Sequence, residues 1–358
     1  MKKLRVAAVG LGWVAQHRHL PVMECSADFE VVGVIDRSPG HAREVMSKRK
    51  YPYYAEGSNL GDIDWLQQVD AITIATSPMS HYSVIRQALE LDKHVLTEKP
   101  FTMTVAEGEE LAALAVGRNL RLAVVHNFQF ARSTKRLLRE IANGDLGVVR
   151  SVSAVQMGNP GRRLPLWYEQ LPLGLFYDES PHLLYLLRRI SGDIDLQRCL
   201  ISPSTTGLKT PARIDAFFRP TAFDGPCTLT CNFESPVSEW HVMVFGEKRL
   251  GILDIFRDIY LSLPNDGTHD TLNVFRTSVC ATAQHVWQHI VSGIPHLRRS
   301  LFYGNEEVFA RFARAVRGSV EDLAPIGPGS ALAVLRLQHT IVNCHEIVDH
   351  KAASGART

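Results

Sequence analysis

Short aliphatic and β-branched runs alternate with stretches of helical periodicity through the first third of the chain. The runs Arg5–Val9, Val31–Asp36, Ala71–Ala75, His94–Thr97 and Arg121–Val125 are brief and nearly continuous in apolar content, as strands covered on both faces are. Between them, His81–Leu91 and Val105–Gly117 place apolar residues at helical spacing. Thr104 is suited to capping the second of these, and Glu107, Glu109 and Glu110 favour its first turns. This alternation predicts an α/β unit over residues 1–125, a doubly wound parallel sheet that binds ligands at the carboxyl ends of its strands.

The pattern changes after residue 126. A helix is expected over Arg132–Asn143, ended by Gly144-Asp145-Leu146-Gly147, then an alternating strand over Val148–Met157 and a helix over His182–Ile190. Strand-like segments follow at Arg213–Phe218, Cys227–Phe233, Trp240–Phe245, Ile252–Phe256 and Ile259–Leu263. Helical spacing returns at Thr277–Val291, Glu306–Arg317 and Ala331–Val348. Residues 126–350 therefore read as an α+β domain with a largely antiparallel open sheet, and residues 351–358 as a frayed tail.

Composition narrows the partners. At 358 residues the chain is long enough for two domains, and 39 basic against 37 acidic residues leave no charge excess for nucleic acid or an anionic membrane. The six cysteines (Cys25, Cys199, Cys227, Cys231, Cys280 and Cys344) show no zinc spacing and read as reduced and structural. Cys227 and Cys231, about 13 Å apart along a strand, are beyond disulfide reach. The N-terminus superficially resembles a signal peptide, but Arg5 breaks the apolar run and a Gly-rich turn follows; the expected location is the cytoplasm.

Gly10-x-Gly12-x-x-Ala15 follows the first strand and precedes a helix-compatible stretch. In that context Gly10 makes the tight turn, Gly12 admits a pyrophosphate close to backbone, and Ala15 lets helix and sheet approach. Asp36 ends the second strand, where a carboxylate binds ribose hydroxyls and repels a 2′-phosphate. NAD(H) is favoured, and NADP(H) stays open because Arg37 follows directly. Lys99, fixed by Pro100 at the end of a strand, is placed to polarise an alcohol or carbonyl oxygen. Alone, Glu98-Lys99-Pro100 is an ordinary surface turn; its position after the Gly-rich turn and Thr76-Ser77-Pro78-x-x-His81 changes that reading.

At these residues the chain resembles the Gfo/Idh/MocA family of oxidoreductases, which includes glucose–fructose oxidoreductase and inositol dehydrogenase. The resemblance continues through Asn127-Phe128-Gln129-Phe130, Gly144-Asp145-Leu146-Gly147, Trp167 and Asp178-Glu179-Ser180-Pro181-His182. It implies a Rossmann domain followed by a substrate-binding and oligomerisation domain, and a homo-oligomer formed through the open sheet face. Cofactor contacts are implied for Gly10, Gly12, Trp13, Val14, Ala15, Asp36, Arg37, Thr76, Ser77, His81, Glu98, Lys99 and Asn127. Lys99, Asn127, Trp167 and His182 are implied to meet a sugar-like or polyol substrate, and no metal is implied.

The implied chemistry is hydride exchange with a secondary alcohol. His182 is its acid/base, Asp178 orients that ring, and Lys99 polarises the oxygen. Without the motif, Asp178 and His182 would read as a helix-end salt bridge. Three departures stand out: Ser180 replaces a usual glycine, Tyr185 a frequent second aspartate, and Gln129 a frequent arginine. Ser180-Pro181 reads as an N-cap and first-turn proline, placing Asp178 ahead of the helix and His182 in its first turn. A dinucleotide-binding sensor without turnover, or a reductase of imines or enones, is the alternative. Arg162-Arg163 read as solvated more readily than as an anion site. His17 and His19 read as solvated or packed, and His285 with His289 as half a metal site at most.

Overall fold

The computed structural model describes residues 2–298 and 302–344, and these divide into two compact units. The first unit contains residues up to Asn127 together with Gly304–Arg336. Its parallel sheet comprises β1 (Leu4–Val9), β2 (Phe29–Asp36), β3 (Tyr53–Glu56), β4 (Ala71–Ile74), β5 (His94–Thr97) and β6 (Leu122–Val124). The strand order is β3-β2-β1-β4-β5-β6, the doubly wound arrangement. Its direction reverses between β1 and β4, so the turns after these strands, at Gly10 and Thr76, border the switch point. β3 escapes the sequence pattern because it is an edge strand whose tyrosines are exposed.

A π-helical turn, Ala15–His19, leads into α1 (Leu20–Cys25). Pro21 lies directly beyond it, and a proline has no N–H for a regular bond to the preceding turn. α2 (His41–Arg49), α3 (Pro78–Glu90) and α4 (Val105–Gly117) complete the crossovers. Thr104 accepts from the Glu107 N–H while Glu107 accepts from the Thr104 N–H, a reciprocal capping box.

The second unit contains Phe128–Tyr303 and the residues from Leu337 onward. It begins with α5 (Arg132–Ala142), β7 (Val149–Met157) and α6 (Leu175–Ser191). Then come β8 (Ile194–Ser202), β9 (Arg213–Pro220), β10 (Cys227–Asn232), β11 (Glu239–Gly246), β12 (Arg249–Asp254), β13 (Ile259–Pro264) and the long α7 (Thr271–Leu297). The sheet order is β13-β12-β11-β7-β10-β9-β8, and only β7 and β10 pair in parallel. The sheet is thus largely antiparallel. β8, the other strand absent from the sequence reading, is again an edge strand, and polar residues interrupt its alternation.

A single division near residue 125 is corrected by the return of α8 (Asn305–Val316) and the start of α9 (Pro328–Val342) to the first unit. Phe309 is fully buried there, with its ring edge-on to His19 at 5.1 Å and to Phe29 at 5.8 Å. Ile326 O accepts the Val124 N–H at 2.7 Å, covering the edge of β6. The expected tail 351–358 and the end of the helix expected to reach Val348 lie outside the described residues.

Candidate active site

Gly10 has φ +82°, and a Cβ there would lie 2.7 Å from Thr76 Cγ2 and 2.8 Å from the Ala75 carbonyl carbon. Only glycine fits. At Gly12 an added Cβ meets nothing within 4 Å, so the turn presents bare backbone to open space. Helical structure starts at the exposed Trp13 and runs through the half-buried Val14 and the buried Ala15. Its first N–H groups offer donors for phosphate.

Asp36 is tied to this turn. The Leu11 N–H donates to Oδ2 at 2.7 Å and the Ser38 N–H to Oδ1 at 2.8 Å. Burial alone would raise its pKa; these two bonds, with the Ser38 side chain and the nearby His41, outweigh it and hold the carboxyl below its ordinary value. An anionic Asp36 beside a free glycine turn fits the adenosine half of a dinucleotide, and the adjacent Arg37 is exposed. The Trp13 ring stacks on His17 at 4.9 Å, and the Arg18 guanidinium lies 4.9 Å from the Trp13 centroid.

The assignment of His81 to cofactor contact is corrected. Its ring is fully buried, with Nδ1 2.7 Å from Pro100 O and Nε2 3.2 Å from Thr76 O. Burial lowers its pKa. The ring therefore ties the loop after β4 to the loop after β5, and leaves Thr76 and Ser77, both half-buried, to face outward at the strand ends.

Half-buried Lys99 follows β5, with a cis peptide bond to Pro100. Glu98 supports it from within the protein: Oε2 accepts the Lys99 N–H at 3.1 Å, and Oε1 lies 2.9 Å from Nε2 of the buried His19. Burial pushes the Glu98 pKa up, but the His19 ring, the Lys99 charge and the Lys99 N–H pull it below its ordinary value. Both carboxylate oxygens are thus engaged in holding the Lys99 loop. The partnership of His19 with Glu98 was not legible, because the residues are 79 positions apart. Asn127, where the first unit ends, is buried.

In the second unit, α6 corrects the expected helix start. It begins at Leu175 after Gly174, and Pro181 lies inside it. Asp178 and His182 therefore stand four residues apart on one helical face. Between Gly174 and Leu187 they are the only two positions that are not buried. From Leu175 to Leu187 the helix otherwise lies in the interior and reaches the surface only through this acid and this imidazole, until Arg188 and Arg189 emerge near its end.

Three aromatic residues surround the His182 ring. Phe128 meets it edge-on at 4.8 Å, Trp240 lies at 5.6 Å, and the Tyr185 hydroxyl is 2.9 Å from Nδ1. The same hydroxyl accepts the Phe128 N–H at 3.0 Å. The group holding Nδ1 is thus Tyr185, a residue that sequence reading treated only as a departure; its spacing of three from His182 was the available signal. Buried Glu179 binds Arg162 Nη2 and Gln156 Nε2, each at 2.5 Å, so Arg162 is a structural ion pair. Trp167 is half-buried at the start of a 3₁₀ turn, Tyr168–Gln170, and Gln129 is buried. The His285 and His289 rings touch at 4.6 Å, but no group of three His, Cys, Asp or Glu side chains suited to a metal occurs among the described residues.

Residues 4–126 match the family model GFO_IDH_MocA, described as an oxidoreductase family with an NAD-binding Rossmann fold. Over this stretch the chain is similar to the Gfo/Idh/MocA family. A curated relative, the dTDP-3,4-didehydro-2,6-dideoxy-alpha-D-glucose 3-reductase of Saccharopolyspora spinosa, is 32% identical over 158 residues, 43% of this chain and 46% of that one. The chain spans about half the length of the curated relatives it matches.

Solved structures extend the likeness in fold to both units. GenD2 from gentamicin A biosynthesis, solved with NAD, has a TM-score of 0.74 at 17% identity, covering 100% of this chain and 96% of that one. KijD10, a 3-ketoreductase from Actinomadura kijaniata solved with NADP and TDP-benzene, has a TM-score of 0.74 at 17% identity, covering 97% and 99%. The fold of these structures therefore accounts for both sheets, and the two neighbours were solved with different nicotinamide dinucleotides. Among the described residues no helix is long and apolar enough to cross a membrane.

Proposed function

We propose that this protein is an NAD(P)-dependent oxidoreductase that moves a hydride between nicotinamide and a hydroxyl- or keto-bearing carbon of a sugar, cyclitol or sugar derivative, with NAD(H) preferred. The observation that carries the reading is α6, which is buried from Gly174 to Leu187 except at Asp178 and His182. Burying a helix while leaving one acid and one imidazole on a shared face is the arrangement that proton transfer needs.

Gly10, Gly12 and the helix starting at Trp13 would hold the pyrophosphate, and Asp36 the adenosine ribose. The nicotinamide, when bound, supplies the hydride acceptor or donor. Lys99 Nζ polarises the substrate oxygen, and His182 takes or returns the hydroxyl proton at Nε2, because Tyr185 holds Nδ1. Asp178, one turn earlier, favours the imidazolium that this creates. The name of the Saccharopolyspora relative, a keto-sugar reductase, supports sugar-related substrates. Asp36 favours NAD(H), since its charge repels a 2′-phosphate.

Nicotinamide absorbance with panels of polyols, free sugars and nucleotide-linked keto sugars tests the reading. Lys99→Ala is expected to lower kcat by about 100-fold or more, with little change in NADH affinity. Tight NADH binding without turnover on any panel would instead identify a sensor. Activity confined to imines or enones would move the reaction class.

A further inference from the structure

His41 is the first residue of α2, and a closed ring of contacts joins it to the glycine turn. Its Nδ1 lies 3.5 Å from Asp36 Oδ2, the oxygen that accepts the Leu11 N–H at 2.7 Å. Its Nε2 lies 3.3 Å from Gln16 Nε2, and the same amide nitrogen donates to Leu11 O at 2.8 Å. Leu11 thus closes the ring at both ends, by its N–H on Asp36 and by its carbonyl on Gln16.

This ring selects one form of the imidazole. A carbonyl oxygen only accepts, so the end of the Gln16 amide facing Leu11 O is its NH2, and the second hydrogen of that group is left for His41 Nε2. Nε2 therefore accepts, the ring proton sits on Nδ1 toward Asp36, and the imidazole is neutral. An imidazolium carries a hydrogen on Nε2 as well and would meet the Gln16 NH2 donor to donor. Gln16 opposes the charge that Asp36 favours.

The balance bears on the cofactor. With His41 neutral, the Asp36 charge is uncompensated and repels a 2′-phosphate. With His41 cationic, a full positive charge stands 3.5 Å from that carboxylate, beside the exposed Arg37. The His41 and Asp36 side chains are 32% and 12% exposed, so a ligand phosphate can reach them. The other charged groups nearby are engaged elsewhere or turned to solvent. Glu56 of β3 accepts the Gly40 N–H at 2.8 Å, Arg49 is held by Glu24 at 2.6 Å and by Gln16 O at 2.7 Å, and Glu44, one turn along α2, is exposed. Histidine is the side chain that changes charge between about pH 5 and 8.

We propose that His41 is a specificity-determining residue of the dinucleotide site: neutral, it leaves Asp36 to exclude a 2′-phosphate, and protonated, it lets the site accept one. The inference rests on the nicotinamide site proposed above and adds NADP(H) as a ligand admitted when the pH falls. Isothermal titration calorimetry with NAD+ and NADP+ between about pH 5.5 and 8.5 reads this without turnover. The ratio of NADP+ to NAD+ association constants should rise about tenfold or more from pH 8 to pH 6. His41→Gln, neutral throughout, should bind NAD+ at pH 8 within a few-fold of wild type and lose most of that rise; the slope it keeps reports the 2′-phosphate's own titration. Gln16→Leu removes the opposing donor and should move the midpoint of the rise upward by about 0.5–1 pH unit. A wild-type ratio independent of pH, a slope in His41→Gln equal to that of wild type, or a midpoint that Gln16→Leu leaves in place would each overturn the role of His41 while the dinucleotide site stands. Failure of both dinucleotides to bind at any pH would overturn the site and this inference with it.

Discussion

Tyr185 gives His182 a neutral partner at Nδ1, 2.9 Å away, where many Gfo/Idh/MocA members carry an aspartate. A hydroxyl can donate to the neutral ring and accept from the charged one, so it serves both protonation states that a proton relay visits. A carboxylate can only accept, and its charge favours imidazolium. Tyr185→Asp is therefore expected to move the His182-controlled limb of the pH–kcat profile upward by about 1 pH unit or more. Tyr185→Phe should lower kcat about 10- to 100-fold with NADH affinity retained, since the ring loses its anchor and the Phe128 N–H its acceptor. Profiles that superimpose on wild type would remove Tyr185 from the relay. The turn at Gly10 and Gly12, the place of Asp36 at the end of β2 and that of Lys99 after β5 were legible because each depends on a local backbone context that can be read directly. The anchoring of His182 was not, because it depends on Phe128, 57 positions from Tyr185.

α6 shows how a local sequence signal can misplace the start of an element. Proline in a helix interior leaves the carbonyl four residues earlier without its donor, which is why Ser180-Pro181 reads as a helix start. Here that carbonyl belongs to Tyr177, and Gln338 Nε2 from α9 donates to it at 2.5 Å while also reaching Ser180 Oγ at 3.1 Å. The fully buried Gln338 replaces the missing backbone donor, so the helix extends back through Asp178 and the acid joins the histidine's face. Nothing local to residues 175–191 announces this donor. Gln338→Leu should destabilise the protein by about 1–3 kcal/mol in urea unfolding, the cost of a buried carbonyl left unpaired. In a Pro181→Ala background the penalty should shrink, because the backbone N–H gained at that position can then reach Tyr177 O. Equal penalties in both backgrounds would show that Gln338 and Pro181 are uncoupled.

At the scale of the whole molecule, the periodicity of residues 306–317 was readable as a helix, but its destination was not. A hydrophobic stripe states that a face will be buried, not against which part of the chain. In this protein the segment Gly304–Arg336 completes the first unit. Phe309 and Phe312 are fully buried there, Arg317 pairs with Asp28 at 2.5 Å, and Arg336 with Glu109 at 2.7 Å. The surface ion pairs contribute little, whereas burial of the two phenylalanines is worth several kcal/mol, comparable with the stability of a small domain. A polypeptide of residues 1–127 should therefore lack a cooperative urea transition, although it contains every strand of the parallel sheet. Joining residues 304–336 to it through a flexible linker should restore the transition, and Phe309→Ala in that fusion should remove about 3–5 kcal/mol again. If residues 1–127 unfold cooperatively alone, with stability near that of the fusion, the returning segment is packed on a unit that is already complete. The expected dependence ties the nucleotide-binding unit to chain that follows the entire second sheet, so its core closes only after residues 304–336 have been synthesised.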